Sequence, residues 1–170
     1  GSWLKQGKTK AEASANLLRL FRNVAVQDSS ARNALNTFLS GKGDVLLTYE
    51  NEAIAAQRAG QDVPYVIPRT TLLIENPIAV LSNSSNRDKA NDFLRFLRTP
   101  AAQQVFADYG YRPIVKSVLE KNRKKFPKRP DIFTIDNLGL GGWDKVQKDF
   151  FDPDTGVMAA IERKVGGVTG

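Results

Sequence analysis

Between Val24 and Ala56 the chain changes hydrophobic period three times, which confines it to folds that alternate strands with helices. Val24-Ala25-Val26 is a short apolar run, and Asp28, Ser29 and Ser30 are all good N-cap residues. Ala31, Ala34, Leu35, Phe38 and Leu39 then recur at i, i+3, i+4, i+7 and i+8, so the spacing predicts a helix that opens close to Ala31. Gly41-Lys42-Gly43 breaks that helix, and Asp44 to Thr48 reads as a buried strand with Tyr49 at its exit. Glu50-Asn51-Glu52-Ala53-Ile54-Ala55-Ala56 follows with helix-forming composition and acids in its first turn, where the helix dipole favours them.

Two strand-to-helix corners result, one at Ser30-Ala31 and one at Tyr49-Glu50. The first N–H groups of a helix have no acceptor inside it, and the aligned peptide dipoles leave about half a positive charge there. Such a corner can receive an oxyanion. A purely structural cap is the ordinary explanation of Ser or Asp at the same place, and spacing alone does not separate the two.

Composition removes other classes of function. The 170 residues include no histidine and no cysteine, which excludes Ser-His and Cys-His catalysis, thiol chemistry and disulfides. The remaining carboxylates, Glu50 and Glu52 or Asp149, Asp152 and Asp154, lack metal-loop spacing, and Pro153 interrupts the last group. The expectation is a protein without catalytic residues, metal or cofactor. The net charge of +7 is concentrated where Lys116, Lys121, Arg123, Lys124, Lys125, Lys128 and Arg129 crowd around Phe126. No nucleic-acid-binding motif accompanies them, so the run reads as a solvated basic surface with no specific nucleic-acid partner.

The rest reads as scaffold. Lys8 to Asn23 is an amphipathic helix with Leu17, Leu20 and Phe21 inward, and Val63 to Ile67 is a short edge strand containing Pro64. Thr70 to Ile74 and Ile78 to Leu81 flank Asn76-Pro77, a hinge candidate because proline forces its predecessor into an extended conformation. A helix with Ala90, Phe93, Leu94 and Leu97 inward follows. Thr99-Pro100 then caps and opens another with Ala101, Ala102, Val105, Phe106 and Tyr109 inward. Trp143, Val146 and Phe150 repeat at helical spacing, with Trp143 read as a packing residue, and Met158, Ile161 and Val165 repeat again near the end.

Asp28 to Ala53, Asn76-Pro77-Ile78-Ala79-Val80, Tyr111-Arg112-Pro113, and Phe133-Thr134-Ile135-Asp136 leading to Gly141-Gly142-Trp143 together resemble the sulfate-binding proteins of bacterial sulfate/thiosulfate ABC importers. The motifs occur in the family's order over nearly the whole chain. The resemblance implies an α/β, periplasmic-binding-protein type II-like fold, here a C-terminal portion lacking most of the N-terminal lobe. It also implies sulfate or thiosulfate as ligand, a membrane permease as partner, and a periplasmic or extracellular location. By resemblance the amide of Ala31 and the side chain of Tyr49 donate to the sulfate, with Ser30 and Arg32 supporting. Two positions depart from the family pattern: Tyr49 stands where it has tryptophan, and Ser30 where it has glycine before the alanine. A site of N–H and O–H donors alone selects a fully ionised sulfate, because a protonated oxyanion would set an acid hydrogen against a donor.

The corresponding division of the chain is a cloning scar at 1–2, part of the second lobe at 3–67, and a crossover segment with a helical region at 68–170. The missing half of the site would come from an N-terminal half or from a second copy of the chain. The alternative is a non-binding interaction domain of the same ancestry that contacts an anionic partner.

Overall fold

The computed structural model describes residues 6–129 and 131–166, so the scar read at Gly1-Ser2 lies outside the described residues. In chain order the elements are α1 (Lys10–Phe21), α2 (Ala31–Leu39), α3 (Glu50–Arg58), β1 (Thr70–Leu72), α4 (Arg87–Leu97), α5 (Pro100–Asp108), α6 (Lys116–Lys121), β2 (Asp131–Phe133), a 3-10 turn (Asp136–Leu138), α7 (Gly142–Phe151) and α8 (Val157–Val165). They form two compact units that interleave along the chain. The first takes the described residues up to Thr48, Thr70–Leu73 and the described residues from Asp131 on; the second takes Tyr49–Arg69 and the described residues from Ile74 up to Arg129. This grouping differs from a single cut at 67/68.

In the first unit, β1 and β2 pair in parallel with Thr70 opposite Asp131 and Leu72 opposite Phe133, and the Leu73 N–H extends the ladder to the Phe133 carbonyl at 2.8 Å. Helix α1 begins with a capping box. The Glu12 N–H donates to Thr9 Oγ1, and the Thr9 N–H donates to the Glu12 carboxylate at 2.8 Å, which holds the Glu12 carboxyl below its ordinary pKa. Helix α8 packs against both α1 and α7, and Val146 and Ile161 are buried.

The turn between α7 and α8 is fixed by Asp152. Its Oδ1 accepts from the Thr155 N–H at 2.7 Å, the Thr155 hydroxyl at 2.8 Å and the Asp154 N–H at 3.0 Å, while its carbonyl accepts from the Gly156 N–H. Gly156 is required here because a Cβ would lie 2.5 Å from the Asp152 carbonyl oxygen and 2.9 Å from that of Phe150. The hydrogen bonds from Thr155 and Asp154 lower the Asp152 carboxyl. A depressed folded-state value contributes stability that is complete above the ordinary aspartate pKa of about 4 and is lost as pH falls through the folded value. The difference in melting temperature between the wild type and Asp152→Asn is therefore expected to be largest at neutral pH and to shrink as the pH falls below the ordinary aspartate value.

In the second unit, Ile54 of α3, Ala107 of α5, Val118 of α6 and Phe126 form the core, with Val115 and Leu119 packed against it. Gln103 is the buried polar member. Its Nε2 donates to the Leu97 carbonyl at 2.8 Å and its Oε1 accepts from the Ile114 N–H at 2.8 Å, which ties the end of α4 to the segment entering α6. Both ends of the amide are satisfied, so its burial is not a penalty.

Helix positions follow the sequence more closely than strand positions do. The starts at Ser30 and Thr99-Pro100 fall as expected, each with a side-chain cap, while the helix read from Lys8 to Asn23 begins two residues later at Lys10, capped by Thr9. Val24 to Val26, Asp44 to Thr48 and Val63 to Ile67 are not strands, because neither described strand pairs with them and a strand is defined by its partner's hydrogen bonds. The expected buried strand at 44–48 instead leaves Val45 79 % and Leu47 74 % exposed. Burial of the helices is also corrected. Helix α5 buries Ala102, Gln103 and Ala107, whereas Val105, Phe106 and Tyr109 are exposed, since the face toward α6 and Phe126 takes small residues. Leu20 of α1 is exposed, and so is Phe93 of α4, whose ring stacks on that of Phe96 at 6.3 Å rather than entering a core. Trp143, expected to pack, is 63 % exposed because the buried stripe of α7 runs through Val146.

Candidate oxyanion site

The first corner lies in the first unit. Ser30 is the N-cap of α2, with extended backbone at φ −150° and ψ 156°, and its Oγ accepts from the Asn33 N–H at 3.1 Å. The Ala34 N–H is taken by the Ser30 carbonyl at 2.9 Å. Ala31 is thus the first residue of the helix, half-buried, and no acidic residue occupies the first turn to offset the positive end. Asp28 serves a different purpose from capping: its Oδ1 accepts from the Thr37 hydroxyl at 3.0 Å, bracing the approach to the corner against the second turn of α2. Ser30 is compatible with the corner in place of glycine because its φ is negative, so no left-handed backbone is needed.

The second corner lies in the second unit. Tyr49 is the N-cap of α3, makes no side-chain capping bond, and is 50 % exposed. Behind it the first turn of α3 is held by residues 110–112. Arg112 makes a two-pronged ion pair with Glu50, Nε to Oε2 at 2.7 Å and Nη2 to Oε1 at 3.0 Å, and its Nη1 donates to the Pro127 carbonyl at 3.1 Å. Asn51 Nδ2 donates to the Tyr111 hydroxyl at 3.4 Å. Gly110, at φ +91°, approaches so closely that a Cβ would lie 3.0 Å from Asn51 Cα and from Ile54 Cβ. The Arg112 guanidinium stands 5.4 Å from the Phe126 ring centroid.

Two motifs that the sequence offered separately, Glu50-Asn51-Glu52-Ala53 and Tyr111-Arg112-Pro113, are therefore one structural unit. Sequence reasoning assigned Arg112 no role, since a charge pair 62 residues apart leaves no periodic trace. The same neighbourhood includes Tyr65, whose hydroxyl pKa is raised first by burial and then by Glu50, against the opposing pull of Arg112 and Arg129. The basic run is also less solvated than expected: Lys125 Nζ donates to the Ala107 carbonyl at 3.0 Å, and Arg123 pairs with Glu120 at 2.6 Å. That pairing lowers the Glu120 carboxyl and raises the Arg123 guanidinium. Ala31, Ser30 and Arg32 belong to one unit and Tyr49 to the other. Among the described residues no group of three or more His, Cys, Asp or Glu is placed to hold a metal ion, and no helix is long and apolar enough to cross a membrane.

The class of protein to which these helix starts belong is met by comparison with known proteins. The family model for bacterial extracellular solute-binding proteins matches residues 4–112, and the chain belongs to that family. A sulfate-binding protein of a Synechocystis species is 36 % identical over 98 % of this chain and 48 % of its own length. A thiosulfate-binding protein of Escherichia coli is 33 % identical over 85 % of this chain and 44 % of its own. Among solved structures, the sulfate-binding protein SubI of Mycobacterium tuberculosis is 41 % identical with a TM-score of 0.67, covering 75 % of this chain and 44 % of that one. The chain thus carries part of a periplasmic-binding-protein fold and spans about half the length of the curated relatives it matches. Members of the family are binding proteins rather than enzymes.

Proposed function

We propose that this chain is part of a receptor that binds sulfate or thiosulfate outside the cytoplasm and delivers it to the membrane permease of an ABC importer. The observation that carries the reading is the match of nearly the whole chain to sulfate-binding relatives, with the Ser30-Ala31 corner formed as an open helix start. The Ala31 amide donates to the oxyanion, and the Tyr49 hydroxyl donates in place of an indole N–H. Ser30 shapes the corner through its cap, and Arg32 supports it by orientation and background potential rather than by contact. The remaining donors come from an N-terminal half or a second copy of the chain. The lobe division at 3–67 and 68–170, with Asn76-Pro77 as the crossing, belongs to the same reading.

An amide-resolved NMR titration of the chain with sulfate and thiosulfate tests it. Saturable shifts at Ala31 and Tyr49 are expected, and Tyr49→Phe should weaken binding by roughly tenfold, the worth of one hydroxyl bond to a charged acceptor. A well-dispersed spectrum with no shifts at either residue would replace the receptor with the non-binding interaction domain. Shifts confined to the lysines and arginines of 116–129 would support an anionic partner instead.

A further inference from the structure

We infer that Arg112 is a positioning residue for oxyanion binding, neutralising and turning aside the Glu50 carboxylate so that the Tyr49 corner can accept an anion. The inference rests on the receptor reading above and adds a residue to it. Glu50 is the first residue of α3, immediately after the candidate donor Tyr49. A carboxylate at that position is drawn to the positive helix end, where it would compete with and repel any oxyanion recruited to the same place. Arg112 engages both oxygens of that carboxylate, at 2.7 and 3.0 Å, from the side of the 110–112 turn. Its third nitrogen is held by the Pro127 carbonyl, so the guanidinium is fixed rather than free to follow the anion. Both side chains are largely buried, with relative exposures of 23 % for Arg112 and 17 % for Glu50, so solvent screens the pair less than it would a surface pair.

The same contact sets the direction in which the corner faces. Gly110 and Tyr111 meet Asn51 beside the ion pair, so residues 110–112 touch the first turn of α3 at three consecutive positions. Losing Arg112 would therefore do two things to Tyr49: free the helix start, and leave an uncompensated negative charge beside the anion. The second effect has a signature that loss of structure alone lacks. Removing the carboxylate as well should restore binding.

The test is calorimetric titration of sulfate into the full chain and three variants at fixed ionic strength: Arg112→Met, Glu50→Gln and the double substitution. Arg112→Met is expected to weaken sulfate binding roughly tenfold, Glu50→Gln to change it by less than about threefold, and the double variant to return to within about threefold of Glu50→Gln, as an electrostatic veto requires. Wild-type affinity in Arg112→Met, or a double variant as weak as Arg112→Met, would overturn the inference. Amide spectra of the same proteins separate it from the receptor reading. Sulfate binding absent from all four, with Tyr49, Glu50 and Asn51 displaced in Arg112→Met, would sink the receptor and keep the positioning contact. Amides of those three residues unmoved by Arg112→Met would sink the positioning role.

Discussion

Phe126→Ala is expected to destabilise the second unit by about 3–5 kcal/mol, the range for emptying a fully buried aromatic site. Phe126 has no exposed surface and is the largest fully buried side chain among the described residues. Its neighbours in the core are Ile54, Ala107 and Val118, all of them small or β-branched, so they cannot fold inward to fill the space. The ring is also a platform, with the Arg112 guanidinium 5.4 Å and the Lys125 ammonium 5.9 Å from its centroid. Truncation removes that surface from beneath two cations whose hydrogen bonds hold Pro127 and the end of α5. Small domains have only about 5–15 kcal/mol of total stability, so the loss is a large fraction. Urea denaturation should show a lower midpoint, and amide exchange should accelerate in α3, α5 and α6. Phe126→Leu, which keeps most of the volume, is expected to cost under about 1.5 kcal/mol. Equal losses in the two variants would mean that the ring's shape, rather than its bulk, is what the core requires.

The helices were readable because their information is local. Ser30 before Ala31 and Thr99 before Pro100 each announce a start within two residues, and each start is where the caps put it. The segments read as strands at 44–48 and 63–67 carry strand composition, but composition does not supply a partner. Only Thr70–Leu72 has one among the described residues, and it is 61 residues away at Asp131–Phe133. Burial failed for a related reason. Periodicity locates an apolar stripe on α5, yet the residues actually covered are Ala102, Gln103 and Ala107, and it is the small Ala107 that packs with Phe126. Of the candidate residues, the sequence placed Ser30, Ala31 and Tyr49 at helix starts, and that is where they stand. What holds the second corner was not legible. Glu50 and Arg112 are 62 residues apart, and only the fold brings them into an ion pair.

Arg112→Met is expected to lower the stability of the second unit by about 2–3 kcal/mol, between the value of an exposed ion pair and the 3–5 kcal/mol for breaking a fully buried one. The pair deserves a value inside that interval because both side chains are mostly covered, at 23 % and 17 % exposure, while still reached by water. Three hydrogen bonds leave with the guanidinium, two to Glu50 and one to Pro127. The carboxylate that remains loses both of its hydrogen bonds to Arg112, which is the costlier half of the change. Glu50→Gln should cost less, about 1–2 kcal/mol, since an amide oxygen can still accept from Arg112 and no buried anion is left behind. Combining the two should therefore fall short of the sum by about 1 kcal/mol or more, a coupling that denaturation midpoints of the four proteins would measure. Additive losses would mean that the two side chains stabilise α3 independently, Arg112 through Pro127 and the Phe126 ring alone. A coupled loss, with sulfate affinity restored in the double variant but stability still reduced, would separate the two duties of Arg112: fixing the turn in the folded chain, and removing a competing charge from the anion's place.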